Sequence, residues 1–341
     1  MPSPLQSQLP PILSVRHLKV QFRPRGLPWQ RRGLIHAVDD VHLDLRAGET
    51  LGIVGESGCG KSTLARTLIG LQEAHSGSIR YGGQELTALS KKDWRPLRRE
   101  IQMVFQDPLA SLNPKMSIGQ IVAEPLRELC PEIPAAQHPA LVAQMLERVG
   151  LSADIVDRHP HEFSGGQAQR IGIARALIVR PKVLICDEAV SALDVSVRAQ
   201  IVNLLAELRR EYGLTLIFIA HDLAIVRYLC DRVVVMYLGK VMEQAPSDEL
   251  FALPRHPYTR ALLAAAPGGN AAVEGADAKK KKGKSPRGAQ PNPEHPPMGC
   301  AFSTRCPLVE SACVRSAPNL RRTGPEHYAA CHFVAAPDST H

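Results

Sequence analysis

The strongest constraint on the fold is a glycine-rich run with the sequence GESGCGKST at residues 55–63. An apolar, strand-like run comes directly before it at residues 50–54, and an apolar segment with helical periodicity follows at residues 64–71. The run matches the pattern G-x-x-x-x-G-K-[ST], in which a loop between a strand and a helix surrounds a phosphate group. The sequence therefore predicts a phosphate-binding loop rather than an ordinary glycine-rich turn.

The residues of this loop predict how a triphosphate is bound. Because glycine has no Cβ, the backbone can adopt a positive φ and direct its amide N–H groups at an anion. Lys61 supplies a positive charge for the β- and γ-phosphates, and the Ser62 hydroxyl is placed to bind Mg²⁺. We expect Cys59 to be a small filler and not a nucleophile. The predicted ATP contacts in the loop are Gly55, Glu56, Ser57, Gly58, Cys59, Gly60, Lys61, Ser62 and Thr63.

A second motif, VLICDE at residues 183–188, is an apolar run that ends in two acidic residues. Strand ends lie side by side in a parallel sheet, so this motif can lie next to the phosphate loop. Asp187 would then hold Mg²⁺ through water, and Glu188 would polarise the attacking water. Such a run can also be a simple solvated strand end, but its position downstream of a phosphate loop favours the functional interpretation.

A third motif, EFSGGQ at residues 162–167, resembles the signature LSGGQ of the ABC ATPases, with Phe163 where Leu is commonest. A hydroxyl and bare amides at a helix start suit phosphate recognition, although they could also form only a glycine-containing helix cap. The resemblance implies that two cassettes bind ATP between them head to tail, each signature facing the partner's phosphate loop. The signature residues that would contact ATP in this way are Ser164, Gly165, Gly166 and Gln167.

Three further motifs fit the same family in the expected order, and their roles are those that the resemblance implies. In FQDP at residues 105–108, Gln106 would contact Mg²⁺ and the lytic water. Asp194 belongs to a D-loop, and His221 corresponds to the switch histidine that contacts the γ-phosphate. The expected catalytic residues are Glu188, His221 and Gln106, and the expected Mg²⁺ contacts are Ser62, Gln106 and Asp187.

The adenine base should stack on an aromatic side chain from the first strand. Phe22 is the first candidate and Trp29 the second. Residues 23–33 resemble an insertion, which blurs the alignment of this strand with the family.

Longer runs narrow the resemblance to the ATPase subunits of oligopeptide and dipeptide permeases. These runs are FQDPLASLNP, EFSGGQAQRIGIARAL, CDEAVSALDVSVRAQIVNLL and HPYTRALL. The resemblance implies an ATP-hydrolysing subunit of an ABC importer that takes up dipeptides or oligopeptides. It also implies a second cassette, by the family's pattern a sister subunit, together with two transmembrane permease subunits and a periplasmic or extracellular solute-binding protein.

Two alternatives stay open at this stage. The binding protein and the membrane subunits choose the cargo in such systems, so nickel or another small solute is possible. A soluble ABC ATPase that acts on ribosomes or DNA would need no membrane partner. Those proteins mostly carry two cassettes in one chain or long inserted coiled coils, and the sequence has neither feature.

The predicted fold class is α/β, with a P-loop ABC ATPase core, an antiparallel β subdomain, a helical subdomain and a small C-terminal Cys-rich segment. With 341 residues, of which 44% are hydrophobic, the chain can bury a sizeable core. We place the nucleotide-binding domain at residues 11–267 and its helical subdomain at about 107–165. Residues 268–298 are predicted to be a flexible linker, and residues 299–335 the Cys-rich segment.

The net charge of +8 does not by itself indicate nucleic acid. Part of the excess lies in a basic run at residues 279–287, which has no aromatic residues for base stacking and suits anionic lipid headgroups better. The apolar runs are shorter than the roughly 18 residues of a membrane span, and the N-terminus lacks the pattern of a secretion signal. We expect a peripheral protein on the cytoplasmic face of the inner membrane.

Four of the eight cysteines, Cys300, Cys306, Cys313 and Cys331, lie near the C-terminus. Disulfides are disfavoured in a reducing cytoplasm, and the tight Cys pairs of structural zinc sites are missing. Widely spaced thiolates on a loop-rich segment suit a Cys₄ iron–sulfur cluster. Some peptide-permease ATPases resemble this tail and carry a [4Fe-4S] cluster, which we expect to act as a structural staple here. Zinc and unligated cysteines stay open as alternatives.

Overall fold

The computed structural model describes residues 10–23, 33–90, 92–191, 193–266 and 290–334. Trp29 and most of the predicted linker, residues 268–289, lie outside the described residues. In chain order the strands and helices are β1 (Leu13–Phe22), β2 (Ile35–Leu45), β3 (Thr50–Val54), α1 (Lys61–Leu68), β4 (Ser76–Tyr81), β5 (Gln84–Glu85), α2 (Trp94–Glu100), β6 (Ile101–Val104), α3 (Ile118–Leu129), α4 (His138–Arg148), α5 (Gly165–Leu177), β7 (Val183–Asp187), α6 (Val195–Tyr212), β8 (Thr215–Ile219), α7 (Leu223–Leu229), β9 (Arg232–Tyr237), β10 (Lys240–Pro246), α8 (Ser247–Ala252), α9 (Pro257–Ala265), α10 (Ser311–Arg315), β11 (Arg321–Gly324) and β12 (His327–Ala329). None of these helices has the length and apolar content that crossing a membrane requires.

The smaller sheet is antiparallel and has the strand order β2-β1-β4-β5. β1 pairs with β2 from Leu13 opposite Leu45 to Phe22 opposite Ile35, with several register shifts. Buried residues of β1 and β2 share one apolar core with residues of α1. This sheet therefore covers the helix that follows the phosphate loop, and the predicted antiparallel β subdomain is confirmed.

The larger sheet has the strand order β11-β12-β10-β9-β3-β8-β7-β6. The five strands from β9 to β6 are parallel, whereas β10, β12 and β11 extend the sheet in antiparallel fashion. β3, β7 and β8 are buried along their whole length, which explains their uninterrupted apolar sequences. The carboxyl ends of the parallel strands meet at one edge, so the loops after β3, β6, β7 and β8 are neighbours there.

The helical subdomain is built from α3 and α4, which lie between β6 and α5 in the chain. α3 begins after Ser117, whose side chain accepts a hydrogen bond from the N–H of Gln120 while the Gln120 side chain bonds back to Ser117. Such a reciprocal cap satisfies two backbone groups at the helix start. Apolar residues of α3 and α4 pack with α5 in a second core. A helical subdomain is confirmed, and its limits at residues 107 and 165 stay predictions.

The C-terminal segment at residues 299–334 continues the larger sheet, because β12 pairs with β10 and β11 pairs with β12. The carboxylate of Glu243 in β10 is fully buried and accepts hydrogen bonds from the backbone N–H groups of Arg255 and His256. His327 Nε2 in β12 lies 2.6 Å from Glu243 Oε1. The sequence predicts a segment that depends on a metal staple, but docking on this sheet also stabilises the segment.

Candidate nucleotide-binding site

The phosphate loop lies between the end of β3 and the start of α1. Its glycines Gly55, Gly58 and Gly60 have φ values of 153°, 76° and 104°. A Cβ on Gly60 would lie 2.0 Å from the carbonyl oxygen of Ala37, and one on Gly55 would lie 2.2 Å from that of Met236. These two positions therefore need glycine for space as well as for backbone conformation.

The Lys61 ammonium is held inside the loop, and only 4% of its side chain is exposed. Nζ donates to the carbonyl oxygens of Gly55 at 2.9 Å and Glu56 at 3.1 Å, and it lies 3.8 Å from Glu188 Oε1. The N-terminus of α1 begins at Lys61, so its free N–H groups and the ammonium favour an anion at the same place. The neighbouring thiol of Cys59 is buried, which raises its pKa and suits a packing group.

A candidate Mg²⁺ site lies between Ser62 and Asp187. Ser62 Oγ donates to Asp187 Oδ1 at 2.8 Å, and Asp187 Oδ2 is buried without a hydrogen-bond partner among the described residues. Burial raises the pKa of Asp187, and the hydrogen bond from Ser62 offsets only part of that shift. A buried carboxylate oxygen without a partner, next to a hydroxyl, is a donor set that a hard divalent cation satisfies. The residues present therefore fit Mg²⁺.

Glu188 and Gln106 come together from two neighbouring strand ends, with Gln106 Nε2 donating to Glu188 Oε2 at 2.7 Å. Glu188 has a φ of 46°, a left-handed conformation that costs a non-glycine residue about 1–3 kcal/mol. Its N–H donates to the carbonyl oxygen of Ile219 at 3.0 Å, and Ser191 Oγ donates to the Glu188 carbonyl at 2.9 Å. This turn lets Asp187 and Glu188 serve one site, although adjacent strand residues point to opposite faces.

His221 follows β8, is exposed, and lines a small cleft together with Glu188 and Arg198. Arg198 Nη1 lies 3.2 Å from Oδ2 of Asp222, the residue after His221. Arg198 Nη2 also donates to the carbonyl oxygen of Leu193 at 3.1 Å. Arg198 therefore ties the strand end that carries His221 to the D-loop.

The signature lies on the exposed start of α5, outside the lining of the phosphate cavity. Ser164 caps this helix, because its Oγ accepts from the N–H of Gln167 and its N–H donates to the Gln167 side chain. A Cβ on Gly166 would lie 2.5 Å from Val197 Cγ1 in α6, whose start follows the exposed Asp194. The signature and the D-loop thus form one exposed surface. The alternative of a simple helix cap fits the local role of Ser164, which caps α5.

A cavity of about 340 Å³ opens over the phosphate loop. Besides the loop, Gln106 and Glu188, its lining includes Ile35 and the C-terminal residues Pro293 and Ala301. The sequence does not indicate these contributions, because they come from distant parts of the chain and carry no motif.

The adenine contact at Phe22 stays a prediction. Phe22 is half-buried against the apolar core and does not belong to the cavity lining. Its partner across the strand pair, Ile35, lines the cavity instead.

The four C-terminal cysteines form one group. Cys300, Cys313 and Cys331 are buried and Cys306 is half-buried. Burial raises the pKa of Cys300 to about 11, and the other three thiols lie close enough to add to this shift. Among the described residues, no three of these sulfurs lie within 4.8 Å of one another. A tetrahedral zinc site requires sulfur–sulfur distances of about 3.8 Å, so the group is wider than such a site.

Comparisons with known proteins agree with this geometry. Residues 38–191 match the family described as ABC transporter, and residues 242–313 match the oligopeptide/dipeptide transporter C-terminal region. The oligopeptide transport ATP-binding protein OppF of Haemophilus influenzae is 50% identical over 323 residues, which cover 94% of this chain and 96% of that protein. OppF of Escherichia coli is 52% identical over 312 residues, which cover 91% of this chain and 92% of that protein.

A solved structure of a dimeric bacterial ABC transporter cassette is similar to this chain, with a TM-score of 0.62 and 25% sequence identity. The match covers 69% of this chain and 98% of that cassette. The predicted ABC ATPase fold is confirmed, and the relatives favour a transporter ATPase over an ATPase that acts on ribosomes or DNA. The chain therefore belongs to the ABC transporter ATPases, in the family of oligopeptide transport ATP-binding proteins.

Proposed function

We propose that this ATPase powers the import of dipeptides or oligopeptides across the cytoplasmic membrane. The observation that carries the proposal is that Lys61 of the phosphate loop lies beside the hydrogen-bonded pair of Glu188 and Gln106. The chain that carries these residues is about half identical to oligopeptide transport ATP-binding proteins. The cargo is inherited from those relatives, and nickel or another small solute is an outcome that the test must distinguish.

In the proposed reaction, the oxygen of a water molecule bonds to the γ-phosphorus of ATP and the bond from that phosphorus to the bridging oxygen of ADP breaks. Glu188 accepts the proton of the water. Gln106, which is hydrogen-bonded to Glu188, orients the water molecule. Lys61 and the loop amides hold the β- and γ-phosphates, and His221 contacts the γ-phosphate. Mg²⁺, when bound, would neutralise charge on the phosphate oxygens. The residues that would hold it are Ser62, Gln106 and Asp187.

The proposed assembly contains two cassettes, two membrane permease subunits and a solute-binding protein. The exposed surface formed by the signature and Asp194 supports a head-to-tail pair, because these residues do not line the cavity over the phosphate loop of their own chain. A similar bacterial cassette forms a dimer, which supports a pair of cassettes here. We place the chain at the cytoplasmic face of the membrane, bound to the permease subunits, with a sister cassette as its partner.

For the Cys quartet we propose a [4Fe-4S] cluster held by Cys300, Cys306, Cys313 and Cys331. The support is that the four thiols gather into one partly buried group, in which no three sulfurs among the described residues lie within 4.8 Å of one another. The N–H of Leu308 also donates to Cys306 Sγ at 3.4 Å, a contact of the kind that stabilises cluster thiolates. When bound, the cluster would cross-link the loops of the segment.

Anaerobic purification tests the cluster. Brown protein with about four iron atoms and acid-labile sulfide per chain, lost when Cys313 is changed to Ser, is the expected result. Colourless protein that contains zinc, or no metal, would contradict the proposal.

The transport function is tested with the complete assembly in proteoliposomes. Labelled dipeptides, labelled oligopeptides and nickel are offered on the binding-protein side, with or without Mg-ATP on the cassette side. We expect peptide uptake only with ATP. Peptide uptake without ATP, or ATP-driven uptake of nickel but not of peptides, would overturn the proposal.

A further inference from the structure

Glu56 lies at a variable position of the phosphate loop and is bound at three groups. Its backbone N–H donates to the Tyr258 hydroxyl at 2.9 Å, its carbonyl accepts from Lys61 Nζ at 3.1 Å, and its carboxylate accepts from Arg305 Nη1 at 2.7 Å. Tyr258 belongs to α9, and Arg305 belongs to the Cys-rich segment. Two of the three partners therefore come from outside the loop motif.

The contact between Arg305 and Glu56 is not an ordinary surface ion pair, because only 8% of the Arg305 side chain is exposed. Arg305 Nη1 also lies 3.2 Å from the hydroxyl of Tyr237, and the guanidinium lies 5.8 Å from the Tyr237 ring centre. Burial lowers the pKa of Arg305, but the hydrogen bonds and charge interactions with Glu56 and Tyr237 together outweigh burial and raise it. A buried guanidinium that lost this carboxylate would be left unpaired, which is costly.

An aromatic cluster fixes the positions of Tyr258 and Arg305, the two partners of Glu56 from outside the loop motif. The ring centres of Tyr237 and Tyr258 are 4.7 Å apart, and the Phe302 ring lies 5.5 Å from the first and 5.3 Å from the second. All three side chains are fully buried. Because Phe302 and Arg305 are close in sequence, the packing of Phe302 places the guanidinium under the loop.

The position of Glu56 also affects the lysine that binds phosphate. The carbonyl oxygen of Glu56 is one of the two acceptors that hold Lys61 Nζ. A shift of Glu56 would therefore move the ammonium and the adjacent amides relative to the triphosphate. Small displacements of groups that position a substrate have large effects on binding and rate.

We propose that Arg305 is a positioning residue of the nucleotide site, which holds Glu56 and so fixes the phosphate loop around the triphosphate. The Cys-rich segment is then a functional part of the ATPase and not only an appended domain. This inference rests on the proposed ATP site, but it depends neither on the cargo nor on what the Cys quartet binds.

The test compares nucleotide affinity among variants of the full chain, using a fluorescent ATP analogue. Arg305→Gln should raise the dissociation constant roughly tenfold, the effect of losing one charge-assisted hydrogen bond, and Arg305→Lys should recover part of the loss. Tyr258→Phe removes only the acceptor of the Glu56 N–H and should weaken binding in the same direction. Glu326→Gln is the matched control, because Glu326 pairs with Arg46 and anchors the same segment away from the loop.

The melting temperature is measured on the same samples, because a purely structural role would lower it without changing the affinity of the folded protein. A double-mutant cycle with Glu56→Gln should show strong coupling to Arg305→Gln. Wild-type affinity in Arg305→Gln, an equal loss in Glu326→Gln, or additive effects in the cycle would overturn the proposal. Failure of the wild-type chain to bind nucleotide would instead overturn the proposed function.

Discussion

The phosphate loop and the C-terminal segment contribute to the same cavity by different means. Residues 55–63 surround the phosphate site through one contiguous turn of backbone, with Lys61 and Ser62 at its end. The segment lines the cavity with Ala301 and contacts the loop from across the fold, through the pair between Arg305 and Glu56, which are 249 positions apart. The comparison indicates that a short motif supplies the chemistry, whereas distant residues determine how firmly the motif is held.

The largest effect on ATP affinity is expected from a change in the phosphate loop itself. Lys61→Ala removes the buried ammonium beside Glu188 and should raise the ATP dissociation constant roughly 100-fold, since several charge-assisted contacts are lost. Equilibrium binding of labelled ATP measures this effect. Lys182→Ala is the control, because Lys182 is exposed and pairs with Glu100 at the surface. If Lys61→Ala lost no more ATP affinity than Arg305→Gln, the loop lysine would not outweigh the contact from the C-terminal segment, and the comparison would be wrong.

The next largest effect is expected on the free energy of unfolding, from a change at the residue that attaches the C-terminal segment to the larger sheet. Glu243→Gln removes the buried carboxylate that bonds to His327 and to two backbone N–H groups. Loss of one partner from such a buried pair should lower the free energy of unfolding by about 3 kcal/mol, as measured by denaturant titration. Glu326→Gln, at an exposed pair, should cost less than about 1 kcal/mol. Equal costs would contradict the idea that Glu243 anchors the segment.

The same carboxylate predicts a dependence of stability on pH. Burial would raise the pKa of Glu243, but hydrogen bonds, first from His327, outweigh burial and lower it below the ordinary value of 4.5. The stabilisation by ionised Glu243 is therefore complete above about pH 5 and is lost as the pH falls through the lowered pKa. Unfolding measured across this range should show a shallower acid decline in Glu243→Gln. Parallel curves for the variant and the wild-type protein would contradict the prediction.

The smallest expected effect lies on the signature surface. Ser164→Ala removes the cap of α5 and should lower the free energy of unfolding by about 1 kcal/mol, whereas Ser164→Gly should cost only a few tenths. Chemical denaturation of the isolated chain compares the two variants. An equal cost would mean that the local helix cap contributes little and that Ser164 serves the partner's nucleotide alone.

The nucleotide motifs could be predicted from sequence because each occupies one strand end. The loop after β3, Gln106 after β6 and Asp187 at the end of β7 need only a parallel sheet to bring them together. The left-handed φ of Glu188 has no sequence signal, although it is what turns the side chain into the site. The role of Ile35 in the cavity lining was also missed, since the prediction of Phe22 assumed that the first strand supplies this wall.

The C-terminal segment shows the limit of sequence reasoning more clearly. Its cysteines were recognised by their clustering, but the pairing of β12 with β10 and the contact of Arg305 with Glu56 depend on tertiary packing. No local pattern encodes a contact across most of the chain. The sequence consequently predicts a segment that is separate from the ATPase, whereas the structure joins the two.

The central claim is that Glu188 activates the water that cleaves ATP at this site, and hydrolysis by the assembled cassettes carrying Glu188→Gln tests it most directly. Glutamine keeps the size of the side chain but cannot accept the proton. The account predicts that ATP binds with wild-type affinity while phosphate release slows by about 10²–10⁴-fold. Phosphate release at the wild-type rate from this variant would contradict the account.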